Sequence, residues 1–158
     1  MEFFVPCWIL LGLMFGETPS KSYVGKQSKT FASRLAVCND VALAAVKGEV
    51  DPILAISVAY SESRFSHPTS KKGAKGPLGV LPKYHCDDPK SCDYTQAGVD
   101  ALRKFLEINE FNYCKALAQF NRGLGGKCEK GRPEYTYATY ILGVYEELCE
   151  KTGMCEAC

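Results

Sequence analysis

Helical punctuation recurs along this chain, and alternating strand-like patterning is nearly absent. The first apolar run, Phe3 to Phe15 (FFVPCWILLGLMF), gives way to the small and polar Gly-Glu-Thr-Pro-Ser. It falls short of the 18 or more apolar residues of a spanning helix, so residues 1–20 read as a signal peptide or short N-terminal anchor, with a buried N-terminal segment as the third reading. The start departs from the usual signal in carrying Glu2 and no Lys or Arg before the apolar core. Residues 21–35 are polar and unpatterned, as expected of a leading arm. Asn39 or Asp40 can cap a short apolar helix, Val41 to Val46, which Gly48 would end.

Asp51-Pro52 is a stronger start, an N-cap side chain followed by proline where its missing N–H costs nothing. From there ILAISVAYSES runs as helix. Residues 66–92 are rich in proline and glycine and read as one long loop. Asp93 with Gln96 resembles a capping box, after which Val99, Leu102, Phe105 and Leu106 recur at helical spacing. Ala116, Leu117 and Phe120 mark another short helix, followed by a glycine-rich loop from Asn121 to Gly131. Tyr137, Ile141, Val144 and Leu148 form the stripe of a last helix. The pattern predicts a mainly α protein with a single helical domain over residues 36–158.

Composition narrows the class. A chain of 158 residues, 46% hydrophobic, suits one folded domain and excludes a disordered one. A formal net charge of +1 removes the electrostatic case for a nucleic-acid partner. Nine cysteines point to an oxidising compartment. Loss of the leader would remove Cys7 and leave an even set: Cys38, Cys86, Cys92, Cys114, Cys128, Cys149, Cys155 and Cys158. Such a set implies up to four disulfides among 105 possible connectivities. A zinc site built on His85, Cys86 and Cys92, or on Cys155 and Cys158, would want two close cysteine pairs, and only one CxxC exists. The cysteines therefore read as structural, with no metal and no cofactor expected.

Glu62 carries the candidate chemistry. At about 100° per residue it falls some 180° from Ile53, between Ala55, Val58 and Ala59, while Ser57 and Ser61 form the only polar stripe. A carboxylate on an apolar face near a helix C-terminus is disfavoured as an anion by desolvation and by the macrodipole. Both push toward an acid able to donate a proton near neutral pH.

The residues after Glu62 extend this reading. Glu62-Ser63-Arg64-Phe65, then Ser70 through Gly73-Ala74-Lys75-Gly76-Pro77-Leu78-Gly79-Val80-Leu81-Pro82, resembles the lytic transglycosylase pattern E-S-x-F, then S-x-x-G-A-x-G-L-M-Q-V-x-P. Ala118-Gln119-Phe120-Asn121-Arg122-Gly123 is similar to the family's A-x-Y-N-x-G. Gly98 matches a helix-starting glycine, and Tyr137-Ala138 or Tyr140-Ile141 its closing helix. The resemblance runs over about residues 36–148, in order. Small signal-bearing members attached to secretion or conjugation machinery, or to phage particles, are similar in size.

The resemblance implies a lysozyme-like fold, in the α+β superfamily, and cleavage of the β-1,4 bond between N-acetylmuramic acid and N-acetylglucosamine. One glutamate, here Glu62, would act as acid and then base and give a 1,6-anhydromuramoyl product, with no second carboxylate as in two-carboxylate glycosidases. Ser70 would help position the sugar, Phe120 and Asn121 would line the glycan cleft, and Tyr137, or Tyr140, would orient Glu62. The family's glutamine falls on Gly79, which has no side chain for a sugar acetamido group, and its tyrosine on Phe120. Leu81 stands where the related goose-type lysozymes have an aspartate. Partners implied are peptidoglycan glycan strands, with envelope-spanning machinery or a phage particle beside them, in a secreted, periplasmic or virion setting. Two alternatives stay open: a goose-type hydrolase, and a peptidoglycan-binding module without catalysis. Asp87, Asp88 and Glu134 are the reserve acids.

Overall fold

The structure is a computed structural model that describes residues 6–16, 26–67 and 70–155, with the side chains of 26–30 left aside. Among these residues seven helices follow one another: α1 (Cys7–Phe15), α2 (Lys26–Lys47), α3 (Pro52–Ser63), α4 (Pro82–His85), α5 (Tyr94–Ile108), α6 (Tyr113–Arg122) and α7 (Pro133–Thr152). Among the described residues the only extended pairing is an isolated antiparallel bridge between Lys75 and Val80.

Helix α3 is the centre. Every residue from Ile53 to Ala59 is buried, including Ser57, and α2 and α7 pack on its flanks. The expected polar stripe is therefore no solvent face. Ser57 donates to the Ile53 carbonyl at 2.7 Å and Ser61 to the Ser57 carbonyl at 2.9 Å, so their hydroxyls are satisfied by the preceding turn. Asp51 caps the start, accepting from the Ile53 N–H at 2.9 Å. Its other oxygen accepts from the Tyr145 hydroxyl of α7 at 2.6 Å, which ties the start of α3 to the far half of α7.

Three sequence expectations are corrected. The polar leading arm and short helix are one helix, α2, from Lys26 through Lys47, with Asn39 and Asp40 inside it. Phe31, Leu35, Cys38, Val41, Ala42 and Ala45 recur every three or four residues and pack on the core, a stripe concealed by the polar residues between them. The 66–92 loop is interrupted by α4, where Pro82 sits at the first helical position. The capping box at α5 is half formed: Asp93 accepts from the Gln96 N–H at 3.1 Å, but the Gln96 amide turns to the Ala44 carbonyl and Asp100.

The cysteine set is corrected as well. Among the described residues four disulfides form, Cys7–Cys38, Cys86–Cys92, Cys114–Cys128 and Cys149–Cys155. Cys7, set aside with the leader, pairs with Cys38, while Cys158 lies outside the described residues. The apolar run forms α1, whose Cys7, Leu10 and Leu11 are buried against the domain. Such bridges are compatible with an oxidising, extracellular compartment. No described helix is long and apolar enough to cross a membrane.

Candidate functional site

Glu62 occupies the last turn of α3, past the buried stretch, and the chain reverses immediately after it. Arg64 and Phe65 both take left-handed backbone conformations, φ 53° and 58°. Such conformations cost about 1–2 kcal/mol per non-glycine residue and persist only where the surroundings enforce them. Phe65 supplies the enforcement. Its side chain is 2% exposed and lies within 6.2 Å, ring to ring, of Phe15 and Tyr60. Arg64 lies over the Tyr60 ring at 4.0 Å. The aromatic cluster pins the reversal, and the reversal leaves Glu62 at an open helix end.

Glu62 is an exposed residue by accessible area, yet protein atoms crowd its carboxyl. Part of its surface faces water, and the rest is walled by protein. Crowding pushes its pKa up from the ordinary carboxylate value, and the nearby Tyr137 hydroxyl pulls it partly back. Walls from other elements add to the α3 side on which helical spacing places Glu62.

Two elements supply those walls. Tyr137 comes from α7, its hydroxyl buried and facing Glu62; it stabilises the carboxylate without reaching the geometry of a formed hydrogen bond. Burial, then the Glu62 charge, pushes the phenol well above its usual value. Gly79 comes from the turn between Lys75 and Val80. A Cβ added to it would stand 2.8 Å from Glu62 Oε2.

The remaining candidates make other contacts. Tyr140 is exposed, and its hydroxyl accepts from Arg64 Nη2 at 3.3 Å. Ser70 closes a turn, its Oγ accepting from the Ala74 N–H at 3.0 Å. Phe120 is half-buried against the core, and Asn121 is exposed inside α6, which ends on Gly123 rather than on Asn121. Asp87 and Asp88 are exposed within the Cys86–Cys92 link, where Asp88 binds the Lys90 N–H and the Ser91 hydroxyl. No family model matches the chain, and no curated protein or solved structure matches it either.

One carboxylate carries more structure than the sequence indicated. Glu134, in the first turn of α7, is 1% exposed. Its Oε2 accepts from the Lys127 N–H at 3.4 Å and lies 3.7 Å from Arg122 Nε, while Oε1 has no hydrogen-bond partner. Arg122 ends α6 and Lys127 lies in the segment joining α6 to α7, so Glu134 ties both to the start of α7, where the dipole favours an anion. Its place one residue after Pro133 was the available signal.

Several hollows open at other places on the described surface. One of about 380 Å³ is bordered by Val50, Asp51, Arg103, Phe111 and Tyr113, around the structural cap of α3. Asp51 is eleven residues from Glu62, about 16 Å along a helix rising 1.5 Å per residue. Chemistry argues for the Glu62 end, because that carboxyl combines water access with a raised proton affinity.

Proposed function

We propose that this protein is a peptidoglycan lytic transglycosylase with a lysozyme-like fold, cleaving the β-1,4 bond between N-acetylmuramic acid and N-acetylglucosamine. The observation that carries the reading is Glu62: an accessible carboxyl whose pKa is pushed up by crowding, faced by the Tyr137 hydroxyl and backed by the Gly79 turn. The resemblance of residues 36–148 to that family supplies the substrate class.

The steps follow from a single acid. Protonated Glu62 gives its proton to the glycosidic oxygen as the bond to C1 of the muramoyl residue breaks. The resulting carboxylate then takes the proton of the muramoyl 6-hydroxyl, whose oxygen closes onto C1. The glycan leaves as a 1,6-anhydro sugar, Glu62 is reprotonated, and no water is consumed. Tyr137 suits both halves, since its O–H favours the carboxylate formed between them. Glycan strands are the partner in this reading. A secretion, conjugation or phage assembly would be the setting.

Mass spectrometry of muropeptides released from purified sacculi tests this. Anhydro-muramoyl ends are expected. Reducing ends would establish hydrolysis instead, and sacculi bound but uncut would establish a binding module.

A further inference from the structure

The turn that carries Gly79 is wedged against its neighbours. Lys75 and Val80 exchange backbone hydrogen bonds of 2.7 and 3.0 Å, closing the Gly76-Pro77-Leu78-Gly79 reversal between them. Leu78 is fully buried, and a Cβ on Gly98 of α5 would stand 2.8 Å from its Cβ. A Cβ on Gly76 would stand 2.7 Å from Tyr94 Cβ, with the Tyr94 backbone next. These contacts involve backbone and the roots of side chains, so the turn has no room to withdraw toward α5. On its other side the turn meets Glu62. A Cβ on Gly79 would come within 2.8 Å of Oε2, 3.5 Å of Cδ and 3.9 Å of Cγ. That neighbour is the far end of a flexible side chain, and it is the one able to give way.

We propose that Gly79 is a positioning residue for Glu62: its bare Cα lets the wedged turn close onto the carboxylate, holding Oε2 against backbone and fixing the direction in which the acid meets its substrate. The functional consequence rests on Glu62 being the reacting acid; the contact does not. Crowding is the largest cause of the raised Glu62 pKa, the turn is one wall of it, and Tyr137 of α7 is the ionisable group facing the carboxyl. Gly79 also has φ +71°, which residues with a Cβ rarely adopt. The glutamine that the resembling family carries at this position would therefore displace the acid here instead of adding a sugar contact.

Gly73 provides the control. It lies in the same loop at φ +85°, with nothing within 4 Å of an added Cβ. Gly79→Ala and Gly73→Ala thus share the backbone cost, and only the first touches Glu62. The experiment compares both variants with the full wild-type chain by thermal unfolding, by carboxyl-carbon NMR titration of Glu62, and by turnover of sacculi across pH. Similar losses in unfolding temperature are expected for the two variants. Only Gly79→Ala should move the Glu62 titration down toward the ordinary carboxylate range. It should also cut turnover by about a hundredfold, the loss that a misplacement of about 1 Å brings. An unchanged Glu62 titration in folded Gly79→Ala overturns the proposal. Should that variant not fold, a nuclear Overhauser contact between Gly79 Hα and Glu62 Hγ in the wild type decides, and its absence overturns the proposal too. A wild type that releases no product while Gly79→Ala still shifts the titration sinks the enzymatic reading and supports the positioning.

Discussion

The Tyr137 hydroxyl and the Glu62 carboxyl face one another between α7 and α3, and each alters the other's proton affinity. Crowding raises both; the negative charge of Glu62 raises the phenol further, and the phenolic O–H draws the carboxyl back down. The phenol stays protonated throughout the working range and remains a donor whichever form Glu62 takes. A group that must act first as acid and then as base benefits from such a neighbour, because neither form is stabilised so far that the other becomes inaccessible.

Replacing Glu62 by Gln should abolish turnover while preserving the fold. An amide can neither deliver nor accept the required proton, and general acid–base assistance is worth about 10²–10⁴, supplied here twice by one group. Muropeptide release at more than a tenth of wild type would remove Glu62 from its role. Stability gives a second check with a definite sign. Because the folded-state pKa of Glu62 is raised, its contribution is fully present below the ordinary carboxylate value and is lost as pH climbs through the raised one. Glu62→Gln should therefore gain on wild type as pH rises across that window, and thermal unfolding at a series of pH values measures the gain.

Tyr137→Phe removes the interaction that lowers the Glu62 pKa. The alkaline limb of the pH–activity profile, where the acid loses its proton, should move to higher pH. Turnover near neutral pH should fall about fivefold, as for the loss of a polar interaction worth about 1 kcal/mol. Stability should hold or rise slightly, since the buried hydroxyl has no well-formed partner to lose. An unmoved limb would show that the two groups are uncoupled.

Among the described residues four bridges take up eight of the nine cysteines, and the ninth, Cys158, lies outside those residues. Thiol labelling of the unreduced full chain should modify at most that one. Cys7→Ser should leave Cys38 as a free thiol and add one reactive group when the unreduced chain is labelled in denaturant, since Cys38 is buried in the fold. Unchanged labelling in that variant would contradict the Cys7–Cys38 pairing.

Asp51→Ala should damage the fold without touching the site. It loses an N-cap, worth about 1 kcal/mol, and a charged hydrogen bond from Tyr145, worth about 1.5–3 kcal/mol. A destabilisation of about 2–4 kcal/mol is expected in denaturant unfolding. Glu62 lies about 16 Å along the helix, so its titration should stay where it is. A shifted Glu62 titration would mean that the two ends of α3 are coupled.

Local chemistry made much of the fold legible. Asp51-Pro52 and Asp93 mark where α3 and α5 begin, because a cap acts within three residues of itself, and the stripe from Tyr137 to Leu148 marks α7, because periodicity is a property of one segment. Glu62 stood out for the same reason, as a charge on an apolar helix near its end. What the sequence left open depends on how separate segments meet. The stripe of α2 from Phe31 onward becomes a core face only because α1, α3 and α5 pack on that helix. Cys7 pairs with Cys38 because α1 packs on α2. Tyr137 and Tyr140 differ by only about 60° around their helix, and it is the setting of α7 against α3 that turns the first to Glu62 and leaves the second to Arg64. Gly79 looked like a lost side chain. Its contact with Glu62 exists because Leu78 and Gly76 lock the turn onto α5, a steric relation among segments that no local pattern records.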